Sequence, residues 1–274
     1  NQMILLNIVL VQKTIYRIKL LLKTKKIKKL VSLVMKYKDI IVIVPTLNND
    51  LTIQNVVDDI LSFGYKVIVI DDGYTNPVSN FLKQNDDVTI IRHEKNRGKG
   101  EAILSGAKKA KELGYEYFAS LDGDGQHMAS EIKKLQNTIS KENQIIIGAR
   151  NFDIANVPNG SKFGRWFSNF WACWDTGYKI TDSLSGFRIY PISILDLPYK
   201  TSKFDWEMEV LVRHAWAGNE IVETIIECFY PKAEERVSHF RKFEDTMAIV
   251  WVHVQMLPIK WTNMFLNLFR RKNK

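Results

Sequence analysis

The sequence predicts an α/β protein built on a mostly parallel, doubly wound sheet. Two observations carry this. Short continuous runs of Ile and Val, the composition of strands buried on both faces, alternate over residues 40–150 with helical stretches of roughly 10–13 residues. Each polar cluster in that span follows the end of a run, where open α/β sheets place their ligands.

The first run is Ile40-Ile41-Val42-Ile43-Val44. Pro45 stops it, and the polar stretch Thr46 to Asp50 leads into a helix predicted over 51–62 and closed by Gly64. The second run, Val67-Ile68-Val69-Ile70, ends in Asp71-Asp72-Gly73; Asn76-Pro77 then reads as an N-cap with proline at the first helical position. A third strand, Val88 to Arg92, leads to Asn96-Arg97-Gly98-Lys99-Gly100 and a helix over about 101–112. The fourth, Tyr117 to Leu121, delivers Asp122 and Asp124, and a helix over 129–140 and a strand Ile145 to Ile147 complete the series. After Arg150 the pattern changes. Residues 151–190 are rich in aromatics and glycine around the polar stretch Asp182 to Arg188. A helix from about Asp205 to Trp216 and a strand from Ile221 to Tyr230 follow, then a polar stretch from Glu234 to Arg241.

The net charge of +9 is unevenly placed. Residues 1–38 hold ten Lys or Arg and no acid, whereas 39–274 hold 29 basic and 30 acidic residues. The basic balance therefore belongs to the arm, and no nucleic-acid partner is expected of the body. Within the arm Ile15, Ile18, Leu22, Leu30, Leu33, Val34 and Tyr37 recur at helical spacing among lysines. That pattern suits a basic amphipathic helix on an anionic membrane surface, or a helix packed on the body with a solvated basic face. The tail, 247–269, is mostly apolar, with Trp251, Met256, Trp261 and Phe265; it reads as a second interfacial segment, with core packing as the alternative. The expected organisation is an arm over 1–38, a catalytic domain over 39–245 and a membrane-proximal tail over 246–274. No apolar run reaches the roughly 18–20 residues that span a bilayer, and no secretory signal is expected. Cys173 and Cys228 have no metal-ligand spacing and suit a reducing compartment.

The chemistry centres on Asp122-Gly123-Asp124-Gly125-Gln126-His127. Two carboxylates two residues apart at a strand exit would project alike and could share one hard cation, Mg²⁺ or Mn²⁺. The glycines let the backbone turn tightly beside it. A polar Asp-Gly turn is the other reading of the same residues.

Taken together, these pieces resemble the family 2 glycosyltransferases of the GT-A fold, and among them the polyprenyl (dolichol) phosphate mannosyl- and glucosyltransferases. The resemblance covers about 40–245. It rests on Val44-Pro45-Thr46-Leu47-Asn48, Asp71-Asp72-Gly73, Asn96-Arg97-Gly98-Lys99-Gly100, Asp122 to His127, Gly148-Ala149-Arg150 and Ser185-Gly186-Phe187-Arg188. Gly164 to Asn169 and Arg236 to Arg241 are similar to a bacterial branch. Tyr74 and Asn76 depart from the Ser and Asp usual after Asp-Asp-Gly.

The resemblance implies roles. Pro45, Thr46, Asn48 and Asp72 would line a nucleoside pocket, while Asp122, Asp124 and Gln126 would hold Mg²⁺ or Mn²⁺ on a diphosphate. Lys99, Arg150, Arg165, Arg188, Arg236 and Ser238 would bind substrate, the arginines by neutralising phosphate. A surface salt bridge is the alternative for each arginine. Asp205, Glu207 and Glu209 are candidate bases for a hydroxyl acceptor, or acids complementing a helix dipole. A phosphate acceptor is already ionised and needs none.

The implied activity is inverting, metal-dependent transfer from a UDP- or GDP-linked sugar to a lipid-linked acceptor at the cytoplasmic face of the membrane. A polyprenyl phosphate leads; a hydroxyl of a glycolipid or envelope glycan is second. A catalytically silent module that binds membrane or a partner is the reading from another class, and the intact Asp122 and Asp124 oppose it. No G-x-G-x-x-G follows the first strand, against a dinucleotide-dependent oxidoreductase. A sugar nucleotidyltransferase would need a glycine-rich basic loop where Pro45 to Asp50 has neither feature.

Overall fold

The computed structural model describes residues 39–258, apart from 74, 84, 152–158 and 229–246, together with residue 260. The basic arm, Tyr74, Arg236, Ser238, Trp261 and Phe265 lie outside the described residues.

Seven strands form one sheet: β1 (Ile40–Thr46), β2 (Val67–Asp71), β3 (Val88–Arg92), β4 (Tyr117–Ser120), β5 (Ile145–Arg150), β6 (Arg188–Pro191) and β7 (Ile221–Ile226). Their order is β3-β2-β1-β4-β6-β5-β7. All neighbours run parallel except β6, which is antiparallel to both β4 and β5. The mostly parallel, doubly wound sheet expected from the sequence is present, with one reversed strand inserted. Burial explains the apolar runs. Ile41 and Ile43 of β1 enter one core cluster, and Ile40, Val42 and Val44 enter the other, on the opposite face. Each such side chain contributes about 1.5–3 kcal/mol when fully buried.

The helices are α1 (Ile53–Ser62), α2 (Lys99–Glu112), α3 (Ile132–Thr138), α4 (Asn159–Thr176), α5 (Trp206–Trp216) and α6 (247–258). Several expectations need correction. No α-helix starts at Asn76: only a 3-10 turn, Val78–Asn80, forms there, and Asp71 Oδ2 accepts the Val78 amide at 3.0 Å. The helix expected over 129–140 divides into a 3-10 turn, Ala129–Glu131, followed by α3. In the tail, read as an interfacial segment with core packing as the alternative, α6 buries Ile249, Val252 and Met256 in the core. Its cover is α4, to which His253 Nδ1 is tied through Asp175 Oδ2 at 2.6 Å. Trp251 stays exposed.

α4 does not read as a helix from its residues, and the packing shows why. Three of its large apolar residues, Trp166, Phe170 and Trp174, face outward, while Ser168 and Asp175 are buried. That blurs the apolar-inward stripe by which an amphipathic helix is read. Among the described residues no helix is long and apolar enough to cross a membrane.

His214 of α5 is wholly enclosed, and burial pushes its pKa down to about 4. The unfolded chain takes up this proton near pH 6.5, whereas the folded state resists it until about pH 4. The site therefore leaves stability unchanged above pH 6.5 and lowers it as pH falls toward 4. By pH 4.5 the loss is about 2–3 kcal/mol. Urea unfolding at pH 7 and 4.5 should show His214→Leu losing less stability between the two than the parent chain; an equal loss in both would contradict this account.

Candidate active site

The site is assembled beyond the ends of β1, β2 and β4. The Leu121 amide donates to Ile43 O at 3.1 Å, which extends β4 by one step and sets Asp122 at the sheet edge. Thr52, just before α1, donates its hydroxyl to Gly123 O at 2.6 Å. The turn closes when the Gln126 amide donates to Asp124 Oδ1 at 3.0 Å, with Gly125 at a φ of 76° that favours glycine.

Facing this turn is Lys99, at the first position of α2. Its Nζ lies 2.7 Å from Asp122 Oδ1 and 3.1 Å from Glu207 Oε1 in the first turn of α5. Gly186 packs against the same junction. A Cβ there would stand 2.5 Å from Lys99 Nζ, 2.9 Å from Asp122 Oδ2 and 3.0 Å from Glu207 Oε1, so only glycine fits without displacing the ion pairs.

Asp72 holds the loop that presents Lys99. Its carboxylate accepts the amides of Arg97 (2.9 Å) and Gly98 (2.8 Å) and the Nδ1–H of His93 (2.6 Å), whose Nε2 lies 3.0 Å from Ser105 Oγ. With both oxygens engaged and the side chain buried, Asp72 ties β2 to α2 instead of reading a base edge, which corrects its expected role. The neighbouring Asp71 borders a small cleft with Thr46, Asn48 and Phe81 beyond β1 and β2. Pro45, one residue before Thr46, pairs with Ile70 in the β1–β2 ladder.

The other expected residues separate clearly. Arg188 is fully buried: Nε donates to Ser185 O (2.7 Å), Nη1 to Glu207 O (2.6 Å) and Tyr190 Oη (3.1 Å), and Nη2 to Ser183 O (2.8 Å). It fastens the 183–188 loop to α5, so the phosphate-binding expectation is corrected. Arg150 forms a two-pronged pair with Asp182, at 2.7 and 2.9 Å, which is the salt-bridge alternative. Arg165 is half-buried on α4. Glu209 is also structural, accepting from Lys200 N, Thr201 N, Thr201 Oγ1 and Arg213 Nε. Asp205 accepts the Lys203 amide at 3.0 Å and closes the turn before α5. Of these three acids only Glu207 joins the Asp122–Lys99 cluster.

Electrostatics divide the two aspartates. Burial works against the charge of Lys99, but Asp122 and Glu207 outweigh it and raise the ammonium pKa. Burial likewise disfavours an ionised Asp122, yet the Lys99 pair prevails and holds it below the usual carboxylate range. Asp124 has no such partner; burial and then the Asp122 charge push it up to about 6. His127 is kept neutral by burial, its pKa down to about 4, with its ring packed 5.2 Å from Phe187.

This donor set fits a divalent cation. Two carboxylates raise each other's cost of ionisation beside a single ammonium, and a cation between them relieves that opposition. Among the described residues no three His, Cys, Asp or Glu side chains form a closed metal cage. An open two-carboxylate site is what Mg²⁺ or Mn²⁺ uses when substrate phosphate completes its shell.

A family model described as glycosyl transferase family 2 matches residues 41–194. The chain is 32% identical over 179 residues to a UDP-N-acetylglucosamine–dolichyl-phosphate N-acetylglucosaminyltransferase of Methanococcus voltae, covering 58% of this chain and 71% of that protein. It is 24% identical over 171 residues to an undecaprenyl-phosphate mannosyltransferase of Micrococcus luteus, covering 58% of this chain and 70% of the relative. Among solved structures, glucosyl-3-phosphoglycerate synthase from Mycobacterium tuberculosis, in complex with Mg²⁺ and UDP, superposes with a TM-score of 0.61 at 15% identity. That likeness covers 79% of this chain and 78% of the other and is one of fold.

Removing Lys99 strands two carboxylates that share its charge. Lys99→Met should lose about 3–5 kcal/mol of stability, the usual consequence of leaving buried charge uncompensated. Millimolar Mn²⁺ should then raise the melting temperature of the variant more than that of the parent. Thermal melts with and without the cation check both statements, and a variant as stable as the parent would refute the first.

Proposed function

Because the chain belongs to the family 2 glycosyltransferases and has their GT-A fold, we propose that it moves a sugar from a UDP- or GDP-linked donor to a polyprenyl phosphate, with inversion, metal dependence and action at a membrane surface. The observation that carries this reading is the Asp122–Asp124 pair at the end of β4, facing Lys99. Two relatives named above act, by their names, on dolichyl phosphate and on undecaprenyl phosphate. The residues of the site also favour a phosphate acceptor. A hydroxyl must lose a proton as it attacks, yet Asp205 and Glu209 are engaged elsewhere and Glu207 is held by Lys99. What the cluster offers is charge neutralisation.

In this reading the nucleoside lies against Pro45, Thr46 and Asn48, where β1 ends. Asp122, Asp124 and Gln126 would hold Mg²⁺ or Mn²⁺, which when bound neutralises charge on the departing diphosphate. Lys99 adds a fixed positive charge beside it, and Glu207 keeps that ammonium from collapsing wholly onto Asp122. An oxygen of the acceptor phosphate forms the new bond to the anomeric carbon as the bond to the diphosphate oxygen breaks on the opposite face, which inverts the centre. Arg165, Arg236 and Ser238 remain proposed substrate contacts. Residues 39–245 are the proposed catalytic unit; the arm over 1–38 and the tail over 246–274 hold it on the inner face of the membrane.

Asp124→Ala should reduce transfer to polyprenyl phosphate by on the order of 10³-fold or more, with folding preserved. The measurement is initial rate across a panel of UDP- and GDP-sugars, with and without excess EDTA. Near-normal turnover by the variant, or full parental activity in EDTA, would sink the metal assignment.

A further inference from the structure

α4 carries an aromatic row that the core does not use. Trp166, Phe170 and Trp174 follow at four-residue spacing, stack at 6.2 and 6.5 Å between centroids, and are 62, 49 and 57% exposed. With Asn169 and Cys173 they line an open groove of about 460 Å³. The other side of α4 is firmly anchored. Ser168 Oγ lies 2.9 Å from Ser183 Oγ, Asn169 Oδ1 accepts the Ser183 amide at 2.9 Å, and Asp175 pairs with His253. The row is thus presented by a helix that also holds the loop closing on Lys99. On the adjoining α6, Met247, Trp251 and Val254 are exposed as well.

The charge carried by α4 and by the sequence from 247 onward is predominantly basic. The sole acid of α4, Asp175, is buried and paired, and its basic residues are Lys162 and Arg165. Residues 247–274 hold five basic residues, Lys260, Arg270, Arg271, Lys272 and Lys274, and no acid. Lys260 Nζ lies 4.8 Å from the centroid of the Trp174 ring. Tryptophan with flanking lysine is the composition of the membrane–water interface, where an amphipathic ring sits at headgroup level and each cation is drawn to anionic lipid.

We propose that the aromatic row of α4, with Trp251 of α6, is seated in the interfacial layer of an anionic lipid bilayer. The seat is a surface contact and not a span: the rings enter the headgroup boundary while α4 lies along it. Because Ser183 is fastened to α4, the 183–188 loop is then held at a fixed height above the lipid. The inference deepens the reading of a lipid-linked acceptor, but it is tested without donor or acceptor, so either can fail alone.

The test uses the full chain and vesicles of phosphatidylcholine and phosphatidylglycerol at 3:1, with sedimentation as the readout. Phe170→Ser combined with Trp174→Ser should weaken partitioning by about tenfold or more, since most of the buried apolar area is removed. Brominated acyl chains should quench tryptophan fluorescence in the parent and less so in the variant. Pure phosphatidylcholine should bind the parent more weakly. Trp174→Gln alone, which alters an exposed ring, serves if the double variant loses its melting transition; it should weaken binding by about threefold or more. Unchanged vesicle binding by either folded variant overturns the proposal. So does a parent that forms dimers in sedimentation velocity, dissolved by the substitutions while vesicle binding persists, because the row would then cover a second copy of this chain.

Discussion

The interaction on which this structure most depends is the contest of two carboxylates for one ammonium. Asp122 arrives from the central strand β4, Glu207 from the first turn of α5, and Lys99 from the first turn of α2. These segments are far apart in the chain, and ordering them carries an entropic cost that packing alone must offset. A buried ion pair is weak evidence for stability, since desolvation consumes much of the Coulomb gain. Its effect here is to fix position. A one-residue slip of any of the three segments would leave charge uncompensated in a largely enclosed place.

Much of the surrounding architecture serves that constraint. Asp72 binds two consecutive amides before α2 and so sets where Lys99 begins; Gly98 adopts a φ of 96°, and Gly100 meets α5 so closely that a Cβ would lie 2.4 Å from Trp206 Cβ. Arg188 draws the loop bearing Gly186 against the backbone of Glu207. Asp72 and Arg188 carry charge, yet each spends it on fixing the backbone that presents Lys99 and Glu207. The result is a site whose polar groups are preorganised, with Asp124 left as the group most easily protonated.

The parallel strands were legible because burial on both faces writes itself as uninterrupted Ile and Val, and the positions of Asp122 and Asp124 followed from where such a strand must end. Glu207 was identified among three acids, but nothing in the order of residues separates it from Glu209, which accepts from the 200–201 backbone and takes no part in the Lys99 ion pairs. The same holds for Asp72 and Arg188. Sequence reports a residue's type, whereas its role depends on which donors reach it in space. β6 was missed because four residues beginning with a buried arginine do not read as a strand. α4 was missed because its aromatic side faces away from the core.

The reversed strand has a consequence for how the chain could diversify. β5 leaves the sheet at the edge where the site lies, and β6 re-enters beside it, with Ile147 opposite Arg188. Everything between, residues 151–187, is therefore an excursion whose two ends are already neighbours. Lengthening such a loop costs little in closure entropy and leaves the strand register untouched. The sheet with Asp122, Asp124 and Lys99 can stay constant while the outward part of that excursion changes, provided that Gly186 stays against Lys99 and Asp182 against Arg150. The outward face of that excursion is thus free to drift in its choice of surroundings without retuning the sheet.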